Sequence, residues 1–297
     1  MTRFASHQAP NARQSNMADW LTHEFERNRG HLRGVAYRML GSLDDAEDAV
    51  QEAWLRLSRQ ESGGIENLGS WLTTVVARIC VDMLRSRRSK REESLGHIPD
   101  FIVDRQDSPE DEVLMADSVG LALLVVLDSL TPSERLAFVL HDMFSMPFEE
   151  IAAMLGRSAV AVRQLASRAR RRVQGAAPPT GTFAQRRAVV DAFVQASRNG
   201  DFEGLVAVLD PDVVMRADRE PAIQGVRGAR AVASQAVAFR NVDLKIEPVI
   251  VNGSPGIVSW LPNGQPLSVM GFVVTDHRIS EIYVISRPDR LRQILGL

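Results

Sequence analysis

The sequence predicts a multidomain chain: two all-α domains, the second holding a helix-turn-helix, followed by an α+β cone. Three observations carry this. Apolar residues recur at helical spacing from about residue 20 to residue 173, broken by one charged stretch containing Pro99 and Pro109. Residues 147–173 read as a helix, a tight turn and a strongly basic helix. Beyond residue 185, helices give way to strand-like runs, which argues for a sheet wrapped round helices with a pocket inside.

The length of 297 residues suits two or three domains, and a composition 45% hydrophobic and 24% charged can bury real cores. A net charge of -2 would exclude a nucleic-acid partner only if the charge were evenly spread, and here the signs fall in blocks. The single cysteine, Cys80, lies in an apolar helical pattern, so no intramolecular disulfide is expected and a reducing cytoplasm is the natural setting. The polar first 17 residues hold no secretory signal, and no apolar run approaches the roughly 18 residues of a membrane span. A soluble, cytoplasmic protein follows.

Residues 1–17, rich in Gln, Asn, Ser and Ala, predict a disordered arm. The first domain, 18–92, opens with a helix carrying Phe25, Leu32, Val35, Ala36 and Leu40, ended by Gly41. Ser42, three residues before Asp45, then caps a helix through Ala46, Ala49, Val50, Ala53, Trp54 and Leu57. Its first turn holds Asp44, Asp45, Glu47 and Asp48, where the macrodipole favours negative charge. This exceeds what capping needs, and with Gln51, Glu52 and Trp54 the surface serves equally as a docking face for a basic partner. A third helix runs from about Leu68 through Trp71, Leu72, Val75, Val76, Ile79 and Leu84. At its far end Arg78, Arg85, Arg87, Arg88, Lys90 and Arg91 face only Asp82. Such a tip beside an aromatic ring suits single-stranded nucleic acid, by phosphate attraction and base stacking. The alternative keeps Trp71 in the core and the basic end in solvent.

Residues 93–115 reverse the sign and predict an extended acidic linker, either a solubilising spacer or a competitor for the surfaces nucleic acid occupies. The next domain, 116–174, holds four helices. A long apolar one starts near Leu114 with Val119, Leu123, Val126 and Leu127, and Thr131, Pro132 and Glu134 open the next. In the following pair, Phe148, Ile151, Ala152 and Leu155 line the first helix, Gly156 stops it and Ser158 caps the second. There Val162, Leu165, Ala166, Ala169 and Val173 form an apolar stripe. Arg163, Gln164, Ser167, Arg168, Arg170, Arg171 and Arg172 point elsewhere, and no carboxylate interrupts residues 151–173. The small-residue stripe packs the second helix closely on the first and leaves its polar face to enter a groove.

After a linker at 175–184, residues 185–297 form the last domain. A helix ends at Gly200, and a short one stops at Asp210-Pro211. Strands are expected at 213–215, 244–251, 256–261, 267–275 and 279–285, run antiparallel, with a helix at 229–239 after the first. Asn252-Gly253, Asn263-Gly264 and Asp276-His277 are the hairpin signals between them.

These residues resemble bacterial extracytoplasmic-function RNA polymerase sigma factors of the group with a C-terminal SnoaL-like (NTF2-like) domain. The likeness covers nearly everything after residue 20. The run Asp44-Asp45-Ala46-Glu47-Asp48-Ala49-Val50-Gln51-Glu52-Ala53-Trp54 resembles the family's docking helix for the polymerase clamp. It implies core RNA polymerase as partner, held by Asp45, Glu47, Asp48, Gln51, Glu52 and Trp54. Trp71-Leu72-Thr73-Thr74-Val75-Val76 with the basic tip resembles the part that opens and reads the minus-ten region, implying promoter DNA contacts from Trp71, Arg78, Arg85, Arg87, Arg88, Lys90 and Arg91. Leu130-Thr131-Pro132 with Arg135 and the helix-turn-helix resembles the reader of the minus-thirty-five element. There Ser158, Arg163, Gln164, Ser167 and Arg168 lie at base edges or nearby phosphates, with residues 170–172 on phosphates.

The resemblance further implies promoter recognition and transcription initiation with no chemistry of the chain's own, no cofactor and no metal. It implies a regulatory C-terminal domain, and an acidic linker threaded toward the polymerase cleft. The group's Trp-Leu-Pro-Glu-Pro linker is replaced by Ile98-Pro99-Asp100-Phe101, and its Asp-Gly-Gly-Gly-Lys loop by Ala217-Asp218-Arg219-Glu220-Pro221. Its Asn-Pro-Asp-Lys-Leu motif survives as Arg287-Pro288-Asp289-Arg290-Leu291, which leaves Pro288, Asp289 and Leu291 as candidate regulatory residues. A small ligand in the cone is a further candidate partner. A catalytic cone is the competing reading, with Asp218, Arg219 and His277 as candidates, but no convergent titratable pair is visible. A simple helix-turn-helix repressor leaves the acidic helix unexplained.

Overall fold

The computed structural model describes residues 11–59, 67–90, 98–104, 120–175, 180–218, 224–238, 240 and 242–297. The chain forms two compact units that divide between residues 85 and 86. Among the described residues no helix is long and apolar enough to cross a membrane.

The first unit contains α1 (Asn11–Leu40), α2 (Leu43–Ser58) and all but the last turn of α3 (Leu68–Lys90). The arm expected over residues 1–17 is helical from Asn11, and residues 1–10 lie outside the described set. Once the packed part of α1 exists, adding upstream turns fixes one residue per hydrogen bond and needs no apolar face. Gly41, at φ 69°, donates its N–H to Tyr37 O at 2.7 Å and ends α1. Ser42 Oγ accepts from Asp45 N at 3.3 Å and starts α2. The two helices pack through Leu32, Val35, Ala36, Met39 and Leu40 against Ala46, Ala49, Val50, Ala53 and Leu57, all buried.

The second unit starts with β1 (Val103–Asp104), followed by α4 (Leu121–Ser129), α5 (Pro132–Phe138), a π turn at Val139–Met143, α6 (Phe148–Leu155) and α7 (Ala159–Gly175). The capping box at Thr131 and Glu134 is complete, Gly156 takes the left-handed φ of 61°, and Ser158 Oγ accepts from Ala161 N at 3.2 Å. Next come α8 (Phe183–Asn199), α9 (Phe202–Val208), β2 (Leu209–Ala217), β3 (Gln224–Arg227) and α10 (Ala229–Val237). Finally β4 (Lys245–Val251), β5 (Ser254–Trp260), β6 (Pro266–Thr275), β7 (Arg278–Ile285) and α11 (Pro288–Leu295) complete the chain.

The sheet runs β1-β4-β5-β6-β7-β2-β3. Neighbours along β5, β6 and β7 alternate between two buried clusters, so the clusters occupy opposite faces. One face, with Ile257, Phe272 and Ile282, is covered by α8, α9 and α10. The other, with Val258, Val269 and Tyr283, is covered by Ile98, Phe101, Leu121, Leu291 and Leu295.

Three expectations are corrected here. The strands are not all antiparallel, because β2 pairs parallel with β7. Asp210-Pro211 does not separate a helix from a strand: β2 already begins at Leu209, and a register shift between Leu209 and Val214 absorbs the proline. The linker expected over residues 93–115 is not a tether throughout, since residues 98–104 belong to the sheet, with Val103 opposite Val251 and Asp104 opposite Ile250. Buried Ile98, Phe101 and Ile102 supply the apolar surface that a solvated spacer lacks. Asp107, Glu110, Asp111, Glu112 and Asp117 lie outside the described residues.

Candidate nucleic-acid and polymerase interfaces

On α7 the stripe Val162, Leu165, Ala166 and Ala169 is buried, and Arg163, Gln164, Ser167, Arg168, Arg171 and Arg172 are exposed. No carboxylate lies on α7, but three reach it from neighbouring helices. Arg163 Nη2 donates to Glu149 at 2.8 Å and its guanidinium lies over the Phe148 ring at 5.4 Å. Arg170 Nε donates to Asp142 at 2.6 Å. Arg172 donates to Glu134 at 2.9 Å, and Arg168 stands 3.4 Å from the same carboxylate. Burial works against ionisation of Glu134, but the Thr131 hydrogen bonds and the charges of Arg172 and Arg168 outweigh it and hold the carboxyl below its usual range. Glu134 thus closes the α5 capping box and also holds two arginines of α7. Ser158 spends its hydroxyl on its own cap. Val160, which sequence reasoning passed over, is 61% exposed and shares the outward stripe of Arg163, Gln164, Ser167 and Arg171 at helical spacing. Its signal was present: an apolar residue one turn ahead of a polar face and off the buried stripe.

On α3, Trp71, Arg78 and Arg85 stand seven residues apart and share one face over about 21 Å. Trp71 is half-buried, Arg78 is exposed, and Arg85 faces Asp82 at 3.6 Å. Arg87 and then Arg88 and Lys90 follow on the last turns, and Arg91 lies outside the described residues.

On α2 the candidate contacts divide. Glu47 is engaged by Arg29 and faces Arg33 at 3.9 Å, Glu52 accepts from Arg56 at 2.9 Å, and Trp54 packs its ring 4.9 Å from Phe25. Asp45 is half-buried at the capped first turn. Asp44, Asp48, Gln51 and Leu55 form the exposed stripe, Leu55 being 40% exposed and absent from the sequence-based set.

The residues that replace the group's three motifs meet at one joint. Arg290, on α11, donates Nη2 to Asp100 at 2.6 Å and Nη1 to Asp218 at 3.3 Å. Buried Asp218 also accepts from Ser286 N at 2.6 Å, Ser286 Oγ at 3.2 Å and Arg287 N at 3.3 Å. Pro288 occupies the first turn of α11, exposed Asp289 pairs with Arg287 at 2.8 Å, and buried Leu291 joins Ile98 and Phe101. Arg219, Glu220 and Pro221 lie outside the described residues. Beside this joint, fully buried Asn252 holds the linker: its Oδ1 accepts from Ile102 N and its N–H donates to Ile102 O, both at 2.9 Å. Asn252 O accepts the first amide of α4, Leu121 N, at 3.2 Å. Both ends of the 103–120 segment therefore close on one residue.

The cone encloses a cavity of about 170 Å³, lined by Phe193, Met215, Met270, Val284 and Ser259 among others. Among the described residues no acidic or basic side chain lines it. His277 sits exposed in the β6–β7 turn at φ 60°, and Asp218 is taken up by its donors, so these two catalytic candidates do not converge; Arg219 lies outside the described residues.

The chain matches the family descriptions Sigma-70 region 2 over residues 25–90, Sigma-70, region 4 over 120–173 and SnoaL-like domain over 190–282. It is similar to the probable ECF RNA polymerase sigma factor SigI of Mycobacterium tuberculosis, 34% identical across 94% of this chain and 97% of that one. It is likewise similar to the ECF RNA polymerase sigma factor SigJ of M. tuberculosis, 35% identical across 90% and 92%. The crystal structure of SigJ superposes with a TM-score of 0.68 at 33% identity, covering 91% of this chain and 98% of that one. The chain belongs to the extracytoplasmic-function sigma factor family, in the form that carries a SnoaL-like domain.

Proposed function

We propose that this protein binds core RNA polymerase and directs promoter recognition and transcription initiation, and that its C-terminal domain regulates this by holding the interdomain linker. It acts in the cytoplasm with the polymerase, and the polymerase makes the bonds. The α7 face supplies duplex readout through Arg163 and Gln164, with Val160 set for a thymine methyl. The Trp71, Arg78 and Arg85 face of α3 suits a single strand. The exposed stripe of α2 meets the polymerase.

The observation that carries the regulatory part is the closure of the linker on Asn252. With the joint closed, at most about 12 residues span from the end of α3 to the sheet, a reach of about 40 Å. Opened, about 30 residues separate α3 from α4, a reach of about 100 Å. Closure therefore limits which spacings of two promoter elements the modules can occupy together.

The test is transcription with core polymerase and the full chain, beside a chain lacking residues 184–297 and the Asn252→Gly variant, which keeps the positive-φ turn and loses the buried side chain that holds Ile102. Altered promoter activity in both variants is expected. Failure of the full chain to bind core polymerase would sink the sigma-factor reading. Unchanged activity in both variants would sink only the regulatory part.

A further inference from the structure

The cone cavity and the linker joint share a row of polar side chains. Ser259 on β5 lies opposite Ser268 on β6, with their hydroxyl oxygens 2.5 Å apart and both residues buried. The β6–β7 register pairs Val269 with Ile285, and continuing it by one residue brings Ser286 opposite Ser268. All three serines line the cavity. Ser286 then donates to Asp218, Asp218 accepts from Arg290, and Arg290 donates to Asp100 of the linker. The other walls are mostly apolar, with Ser197 and Gln235 the remaining polar side chains, and include Met215 and Met270, which adapt to a ligand's outline.

We infer that this cavity is a regulatory site for a small neutral molecule, of single-ring size and carrying one hydroxyl or carbonyl, whose binding opens the linker joint. The inference rests on the regulatory reading above and names its effector class. The volume of about 170 Å³ compares with the engineered cavity of about 150 Å³ that takes up benzene. The absence of a charged lining residue among the described ones disfavours an ionic ligand, whose buried charge would find no partner. The serine row supplies a hydroxyl that donates or accepts. A ligand oxygen that takes the Ser286 hydroxyl removes one donor from Asp218. Asp218 then draws Arg290 toward itself and away from Asp100, which loosens the linker.

The probe is phenol on the full chain, with benzene and benzoate as comparators, read by calorimetry and by hydrogen exchange of the Ile102 amide. Phenol is expected to saturate one site, benzene to bind about tenfold more weakly for want of one hydrogen bond, and benzoate to be rejected. At saturation, Ile102 exchange should rise several-fold, and Arg290→Gln should bind phenol as well as the parent while losing that response. No saturable phenol binding, benzoate binding equal to phenol, or Ile102 exchange unchanged or slowed would each overturn the inference. The two readings fail separately. Loss of phenol binding leaves linker control standing. Phenol binding with faster Ile102 exchange supports the site even where deleting residues 184–297 leaves transcription unchanged, and that result defeats linker control instead.

Discussion

The two faces of the C-terminal sheet bury similar side chains but are covered by different kinds of chain. Helices α8 and α9, which follow one another, and α10, which follows β2 and β3, cover the Phe272 face, all from the segment that also supplies strands of the sheet. The Tyr283 face is covered by pieces drawn from residues 98–103, from α4 and from α11. A cover interleaved with the strands is expected to fold with its sheet. Under the proposed regulation, the linker part of the other cover leaves while the sheet stays folded.

The largest expected effect tests this difference directly. Phe272→Ala should destabilise the sheet by about 3–5 kcal/mol, as a truncated buried aromatic does. Phe101→Ala removes an equally buried ring from the other side, yet should speed exchange of the Ile102 amide while barely moving the denaturant midpoint of the sheet. Equal midpoint losses would make the linker an integral part of the core. Next comes Gly271→Ala. A Cβ there would lie 2.7 Å from Leu121 Cδ2, 3.2 Å from Val251 Cγ1 and 3.4 Å from Phe101 Cζ, so it presses on the Tyr283 face. A cost of about 1–3 kcal/mol is expected, with release of the Leu121 amide from Asn252 read by exchange. Smaller again, Arg290→Gln should loosen the linker by about 1–2 kcal/mol, because the guanidinium ties Asp100 and Asp218 in a half-buried site. Unchanged Ile102 exchange in this variant would leave the hold to Asn252, the β1–β4 pairing and the buried Ile98 and Phe101.

The same contrast decides what could be read from the sequence. Gly41, Ser42, Gly156, Ser158 and the Thr131 to Glu134 box act within four residues of themselves, so propensity and capping chemistry reveal them. Asn252 was legible as half of a hairpin turn, but its grip on Ile102 spans 150 residues and leaves no periodic trace. β1 has two residues and no alternation to detect. α4 is apolar on nearly every side because Leu121 packs on the sheet while Leu124 and Leu127 are also buried, and a helix without a polar face shows no direction. On α7 the buried and outward stripes followed from spacing, whereas the carboxylates that hold its arginines come from Glu134, Asp142 and Glu149 on other elements.

Glu134 offers the smallest effect and the sharpest sign. Its carboxyl is held below the usual range in the folded protein, so its ionised form contributes stability that is fully present above the unfolded value of about 4.3 and is lost as pH falls through the lower folded value. Glu134→Gln keeps an acceptor for the Thr131 amide, but gives up the charge that holds Arg168 and Arg172. The variant should cost about 1 kcal/mol at neutral pH, since both arginines are half exposed, and should flatten the acid limb of the stability curve. It also frees two cations on the face set for DNA, so promoter binding should hold or tighten while the fold weakens. Parallel loss of binding and stability would mean that Glu134 positions those arginines for the phosphates rather than restraining them.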